Sequence, residues 1–396
     1  MAREAIDARL ALLPTESRRL SECIGRVLRE DVYAERDNPP FDRVCMDGIA
    51  IRSDAFIRGV RRFIIEATQA AGSPALTLSS SESAVEVMTG AIMPRGADCV
   101  IPLEEYNLVA DTVSLKEDAA AEPFRNVQRR GSDSKPGIPM LKAGIQLGAA
   151  EIGVIASAGR AVIKVSCQPS FRVISTGDEL VEPGEPILEH QVRRSNAYAM
   201  MGALRKRGFE KVSDDHIVDS EDALRERLSR HLAEVDVLVL SGGVSKGKFD
   251  LVPKVLKSLE VEEVFYQVAQ RPGMPMWFGI GPNGQAVFGL PGNPVSTLMC
   301  LMRYVVPAID TAMGTSAAAT EIETVALGAP IKRGRPTASF VPVEIRYGPQ
   351  ALRSAVPRMP NGSGDFLALA GTDGFIELPP SAEAYPEGFV ADFYRW

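Results

Sequence analysis

Three turns in the second half of the chain carry residue types suited to binding an anion. They are Ser175-Thr176-Gly177-Asp178-Glu179, Ser241-Gly242-Gly243-Val244-Ser245 and Gly289-Leu290-Pro291-Gly292-Asn293-Pro294. Glycine lets backbone N–H groups come close to a phosphate, and Ser, Thr and Asn add neutral donors. Ser175, Thr176, Gly177, Asp178, Gly242, Gly243, Ser245, Pro291, Gly292, Asn293 and Pro294 are therefore the candidates for holding a phosphate-bearing ligand. Any one of these turns reads equally well as a plain strand-to-helix connection. All of them together, at one sheet edge, read as a pocket.

Carboxylates lie next to these turns. Glu179 belongs to the first, Asp219 sits in IVDSEDAL, and Asp250 ends GGVSKGKFD. A carboxylate repels phosphate unless a cation bridges them, and Mg²⁺ takes one or two carboxylates together with phosphate oxygens. Glu179, Asp219 and Asp250 are thus the candidate metal ligands, although Asp219 and Asp250 also suit helix-cap positions. Arg271 in RPGMP offers a fixed cation to an oxyanion. Asn293 suits a helix cap, with Pro294 at the first helical position. Three clusters lie further upstream: Asp47 in CMDGIA, Thr89 in MTGA running into PRGAD, and Asp133 in RRGSD. Each taken alone is more readily a turn than a site.

The elements around these residues change character along the chain. Ile6 to Leu13 and Ser17 to Leu28 have helical spacing, and NPPF then forms a rigid extended lead-out. FIIEA, AVEVM, DCVIPLEEY and TVSLK are short strands punctuated by Gly and Pro. Lys142 to Ile155 is helical again and AVIKV is a strand. From Phe171, strands (FRVIS, VDVLVL, QAVFGL) alternate with helices over Asn196 to Arg207, Leu224 to Leu232, Leu251 to Ser258 and Val295 to Val306. That alternation predicts a doubly wound parallel sheet, whose ligands sit beyond the strands' carboxyl ends. After GTSAAAT, the runs ETVALG, SFVPVEIRYG and GFIELP predict a small barrel or sandwich.

Composition limits the alternatives. At 396 residues, the chain predicts two to four domains. A net charge of −7 argues against nucleic acid as a partner. No apolar run reaches membrane-spanning length, and the N-terminus lacks the features of a signal peptide. The five cysteines have no C-x-x-C spacing and the three histidines no ligand spacing. Free thiols and a reducing cytoplasm are expected, with neither a zinc site nor a catalytic triad.

Seven motifs occur in one order: MDGIA, MTGAIMPRGADCVIPLEE, RRGSD, STGDEL with PG four residues on, SGGVSKGKFD, RPGMP and GLPGNPVS. Over nearly the whole chain this resembles the molybdopterin molybdotransferase family, bacterial MoeA and the gephyrin E domain. The resemblance implies an α/β multidomain subunit. Its expected parts are a discontinuous N-terminal helical domain (1–43 and 133–168), an inserted β-rich lobe (44–132), a parallel α/β molybdopterin-binding domain (169–313) and a C-terminal β domain (320–396). It also implies a homodimer, with a site shared between subunits, and Mg²⁺-dependent insertion of molybdate into adenylylated molybdopterin with release of AMP. A molybdopterin adenylyltransferase is the implied partner. The family's functional positions fall on Asp47, Thr89, Asp133, Glu179, Asp219, Asp250, Arg271, Pro291 and Pro294, and more weakly on Arg335 and Ser363.

Three positions depart from the family pattern. Met274 stands where the family has lysine, Gln267 where it often has lysine, and Ile49 where it usually has an aromatic. Losing a charge-assisted contact typically costs about 1.5–3 kcal/mol, so weaker oxyanion binding is expected. Two other functions suit the same residues: a molybdopterin adenylyltransferase, which needs only the α/β domain, and a non-catalytic molybdopterin-binding scaffold.

Overall fold

The structure, a computed structural model, describes residues 1–244, 251–317, 322–332, 337–349 and 352–396. Ser245, Asp250, Arg335 and the end of the GTSAAAT linker lie outside the described residues.

The α/β domain is built on a six-stranded sheet. Its order is Val212–Ile217, Phe171–Thr176, Val237–Ser241, Ala286–Leu290, Trp277–Ile280 and Glu262–Tyr266. The first four strands are parallel, as the alternating pattern predicts. Successive side chains point to opposite faces of a strand. Val173 and Val239 accordingly join one core with Met200 and Val295. Ile174, Leu238 and Leu240 join another with Leu228 and Val255. Helices therefore cover both faces: Ser195–Lys206 and Pro294–Cys300 on one, Glu221–Glu234 and Val252–Ser258 on the other.

The far edge departs from an all-parallel sheet. Trp277–Ile280 runs antiparallel to both its neighbours. Antiparallel strands need no crossover helix, only a connecting loop. That loop, residues 267–276, contains Arg271-Pro272-Gly273-Met274-Pro275. Glu262–Tyr266 runs in the same direction as the parallel strands, so its loop emerges at their carboxyl edge, beside the glycine turns. The last helix also outruns its expected end. It passes through a π turn at Leu301–Val305 and resumes over Val306–Ala312. A π turn absorbs the backbone bond that Pro307 cannot make.

The N-terminal segment is less helical than its spacing suggests. The first helix covers only Ala2–Asp7. Within Ser17 to Leu28 there is no α-helix: Thr15–Arg19 is a strand paired antiparallel with Val162–Ser166, and Leu20–Glu22 is one 3₁₀ turn. A pairing partner more than 140 residues away overrides local spacing here. Leu28, Val32, Leu147, Ile155 and Val165 then share one core, which joins the two ends of this region. Between them lies a second six-stranded sheet, residues 48–115, including Gly48–Ile51 and Ser83–Val87.

The C-terminal strands close into a barrel. Ala338–Tyr347 pairs with Arg353–Pro357 and Gly374–Leu378, and Glu323–Leu327 and Val390–Arg395 complete the circuit. Closure removes exposed strand edges. The short strand Gln270–Arg271 pairs with Ala338–Ser339, which ties the loop of the α/β domain to the barrel. No helix among the described residues is long and apolar enough to cross a membrane. All five cysteines are free, as expected.

Asp310 lies in the joint between the N-terminal segment, the α/β domain and the barrel, with Arg3 and Arg207 beside it. Burial pushes its carboxyl up to about 6, against the smaller opposing pull of the two arginines. The folded state thus holds this proton more tightly than the unfolded chain. Stability falls as pH rises from the ordinary carboxylate range through about 6. Asp310→Asn is expected to raise the unfolding temperature by a few degrees at pH 8 and to change little near pH 4. An equal shift at both pH values in a thermal melt would contradict this assignment.

Candidate functional site

The three glycine turns meet because their strands are in register. Ser175 lies opposite Ser241, and Ser241 opposite Leu290. The turns therefore leave the sheet at one level and enclose a cleft of about 700 Å³. Ser175, Thr176, Glu179, Gly242, Gly243, Pro291, Gly292, Asn293 and Pro294 line it, and so do Arg193, Arg194 and Asn196.

Two positions here require glycine, Gly242 and Gly243. Gly243 has φ +65°, and a Cβ there would meet Val252 Cγ2 at 2.7 Å and Thr176 Oγ1 at 2.9 Å. Gly242 has φ +97°, and a Cβ there would meet Thr176 O at 2.8 Å. The backbones of adjacent turns thus pack directly against one another.

The floor of the cleft has unused hydrogen-bonding capacity. Ser175 and Thr176 are 2% and 4% exposed. Neither hydroxyl oxygen has a hydrogen-bond partner, and nor does Asn196 Oδ1. Asn196 Nδ2 donates to Ser241 Oγ and to Gly292 O, each at 2.8 Å, bracing two turns against each other. An unpaired buried polar group costs roughly 1–3 kcal/mol. Two such hydroxyls at the base of one cleft are what a site for an acceptor-rich ligand requires.

Arginines missed in the sequence reading also border the cleft. Arg194 is 7% exposed and forms ion pairs with Glu182 and, at 2.8 Å, Asp214, so its charge is already neutralised. Arg193 donates to the Glu182 and Glu185 carbonyls at 2.8 and 2.7 Å. Among the described residues it has no carboxylate partner, so its charge remains available to an anion. The signal in the sequence was the doublet in QVRRSNAYAM, immediately before a helix.

The carboxylates divide. Glu179 lines the cleft. Asp178 lies outside that lining and accepts a hydrogen bond from the Asp219 backbone N–H at 3.0 Å, which fixes the neighbouring turn. Asp219 is not a helix cap, since Ser220 takes that position before Glu221–Glu234. Among the described residues, no three His, Cys, Asp or Glu side chains gather as a metal cluster. Glu179 is the one carboxylate in the described lining, and its hard oxygen donors fit Mg²⁺ completed by phosphate oxygens. Pro294 does open the last helix, but Asn293 makes no side-chain capping bond. Thr297 makes the first helical bond, its N–H donating to Asn293 O at 2.9 Å, and its hydroxyl ties the turn to the helix through Pro291 O and, at 3.0 Å, Asn293 O. Asn293 is thus left to line the cleft.

A second cavity of about 700 Å³ adjoins the first across Pro275, Pro291 and Asn293. Arg271, Met274, Ser296 and Ser363 line it, with Lys332 from the barrel. Met274 therefore occupies this cavity, whereas Gln267 lines neither of the two.

Of the upstream residues, Asp47 and Thr89 are joined directly. Asp47 Oδ1 accepts hydrogen bonds from the Thr89 N–H at 2.6 Å and the Thr89 hydroxyl at 2.7 Å. Those two bonds, the backbone one first, hold the Asp47 carboxyl below the usual carboxylate range. Asp133 accepts from Gln128 Nε2 at 2.8 and 2.9 Å and from Ser132 Oγ at 3.0 Å. None of Asp47, Thr89 and Asp133 lines the cleft of its own chain.

Comparison with known proteins agrees with the layout. Residues 1–159 match the MoeA N-terminal region (domains I and II), 172–311 a probable molybdopterin binding domain, and 324–396 the MoeA C-terminal region (domain IV). The molybdopterin molybdenumtransferase of Synechocystis sp. is 38% identical over 94% of this chain and 93% of its own length. The chain belongs to the MoeA family. The Staphylococcus epidermidis molybdopterin molybdenumtransferase is 30% identical, over 94% of this chain and 89% of that protein. The molybdopterin biosynthesis MoeA protein of Pyrococcus horikoshii superposes with a TM-score of 0.79 at 28% identity, covering 100% of this chain and 97% of that one. The multidomain α/β architecture is thus that of MoeA proteins.

Thr176→Val tests the unpaired floor. The isosteric change removes a buried hydroxyl without a partner, so the melting temperature should hold or rise. Affinity for AMP, used as a phosphate-bearing probe, should fall about tenfold. A lower melting temperature with unchanged AMP affinity would make the hydroxyl structural.

Proposed function

We propose that this chain inserts molybdate into adenylylated molybdopterin, releasing AMP and the molybdenum cofactor. The observation that carries the reading is the floor of the cleft: three glycine turns meet over buried, unpaired Ser175 and Thr176 hydroxyls. In this reading, Ser175, Thr176 and the Gly242–Gly243 backbone hold the phosphate end of the substrate. Arg193 faces its charge from the cleft wall. Arg271, in the adjoining cavity, holds the oxyanion near the far end of the same ligand. Catalysis is then mainly positioning and electrostatics.

Glu179 is the described carboxylate placed to hold Mg²⁺, and Asp219 and Asp250 are assigned to the same task by resemblance. A bound Mg²⁺ would neutralise charge on the phosphoanhydride, easing departure of AMP. Asp47, Thr89 and Asp133 fit this reading as contributions from a second subunit of a homodimer. Asp47, charged, is already bonded to Thr89, and none of the three lines the cleft of its own chain. An upstream molybdopterin adenylyltransferase would supply the substrate.

Purified protein given adenylylated molybdopterin, molybdate and Mg²⁺ should release AMP and form cofactor. Glu179→Gln should slow this at least about tenfold, the scale of one lost charged contact. Subunits carrying Asp47→Ala and subunits carrying Glu179→Gln, each impaired alone, should regain activity when mixed. An adenylyl adduct made from molybdopterin and MgATP would assign the chain to the adenylyltransferase step. No turnover at any molybdate concentration would leave a scaffold.

A further inference from the structure

The cavity beside the phosphate cleft is positively charged in a chain that is not. The sequence has 51 Asp and Glu against 44 Lys and Arg. The described residues lining this cavity nevertheless include Arg271 and Lys332 and no carboxylate. Neither cation has an ion pair or hydrogen bond among the described residues. Ser296, Asn361 and Ser363 add neutral donors.

Both cations are delivered in the same way, from different domains. Each ends a two-residue strand whose first residue is anchored inside. In the α/β domain the anchor is Gln270, 3% exposed, whose amide donates to Gly273 O at 2.9 Å and accepts from the Tyr304 hydroxyl. Strand alternation then turns Arg271 outward. In the barrel the anchor is Ile331, 6% exposed within the barrel core, and Lys332 turns outward from it. The pairing of Gln270–Arg271 with Ala338–Ser339 holds the two domains together at this point.

We propose that Lys332 is the second cation of the oxyanion site, so that the C-terminal barrel supplies charge that Met274 does not. The inference rests on the reading of the Arg271 cavity as the oxyanion site. Lys332 is a compact point charge on a flexible stem, which suits a tetrahedral dianion presenting no planar fork to match. Arg271 supplies the fixed cation from the α/β domain. Oxyanion selection in this chain is then a joint property of two domains.

The test is equilibrium dialysis of the full chain against inorganic molybdate, with sulfate as competitor. Lys332→Ala should weaken molybdate binding about ten- to a hundredfold without moving the melting curve. Lys332→Arg should keep binding within a few fold. Met274→Lys, added to Lys332→Ala, should restore it, because the same cavity regains a cation. If Lys332→Ala binds as the unaltered protein does while Arg271→Ala loses binding, Lys332 is excluded and the oxyanion cavity stands. If both variants bind as the unaltered protein does, or if that protein shows no saturable binding, the cavity reading falls and Lys332 with it.

Discussion

The site depends on direct backbone contact between adjacent turns at the carboxyl edge of the sheet. A Cβ on Gly243 would run into Thr176 and Val252, and one on Gly242 into the Thr176 carbonyl. Only glycine permits that approach. Beneath these turns the Ser175 and Thr176 hydroxyls are buried and unpaired. The fold thus holds hydrogen-bonding capacity in reserve for a ligand, at a cost offset by the two cores packed on either face of the sheet.

The rest of the molecule is arranged around that edge. The antiparallel hairpin at the far side of the sheet carries Arg271 and Met274 to the same end as the turns. Pairing of Gln270–Arg271 with Ala338–Ser339 docks the barrel there as well. Two cavities result, sharing Pro275, Pro291 and Asn293. One offers hydroxyls and backbone; the other offers cations. On the proposed reading, a ligand anchored by phosphate in the first would present its other end to the second.

Much of this was legible in the sequence, for identifiable reasons. Glycine clusters after apolar runs announce turns at strand ends, and VDVLVL reads as a strand buried on both faces. What local patterns could not show was pairing over long distances. Ser17 to Leu28 has helical spacing, yet the strand that begins at Thr15 answers to Val162–Ser166. Asp47 and Thr89 looked like separate turns until their hydrogen bonds joined them. Asn293 has the chemistry of a cap and stands at that position, but its side chain makes no capping bond. Arg193 and Lys332 carried no motif; only the cavities around them distinguish them from other surface cations.

The account stands or falls on what occupies the floor of the cleft. A crystal structure of the protein with AMP and Mg²⁺ measures this directly. The expected result places phosphate oxygens about 3 Å from the Ser175 or Thr176 hydroxyl and from the Gly242–Gly243 amides, with Glu179 nearest the metal. AMP bound with its phosphate away from these turns, and both hydroxyls still unpaired beneath it, would contradict the account.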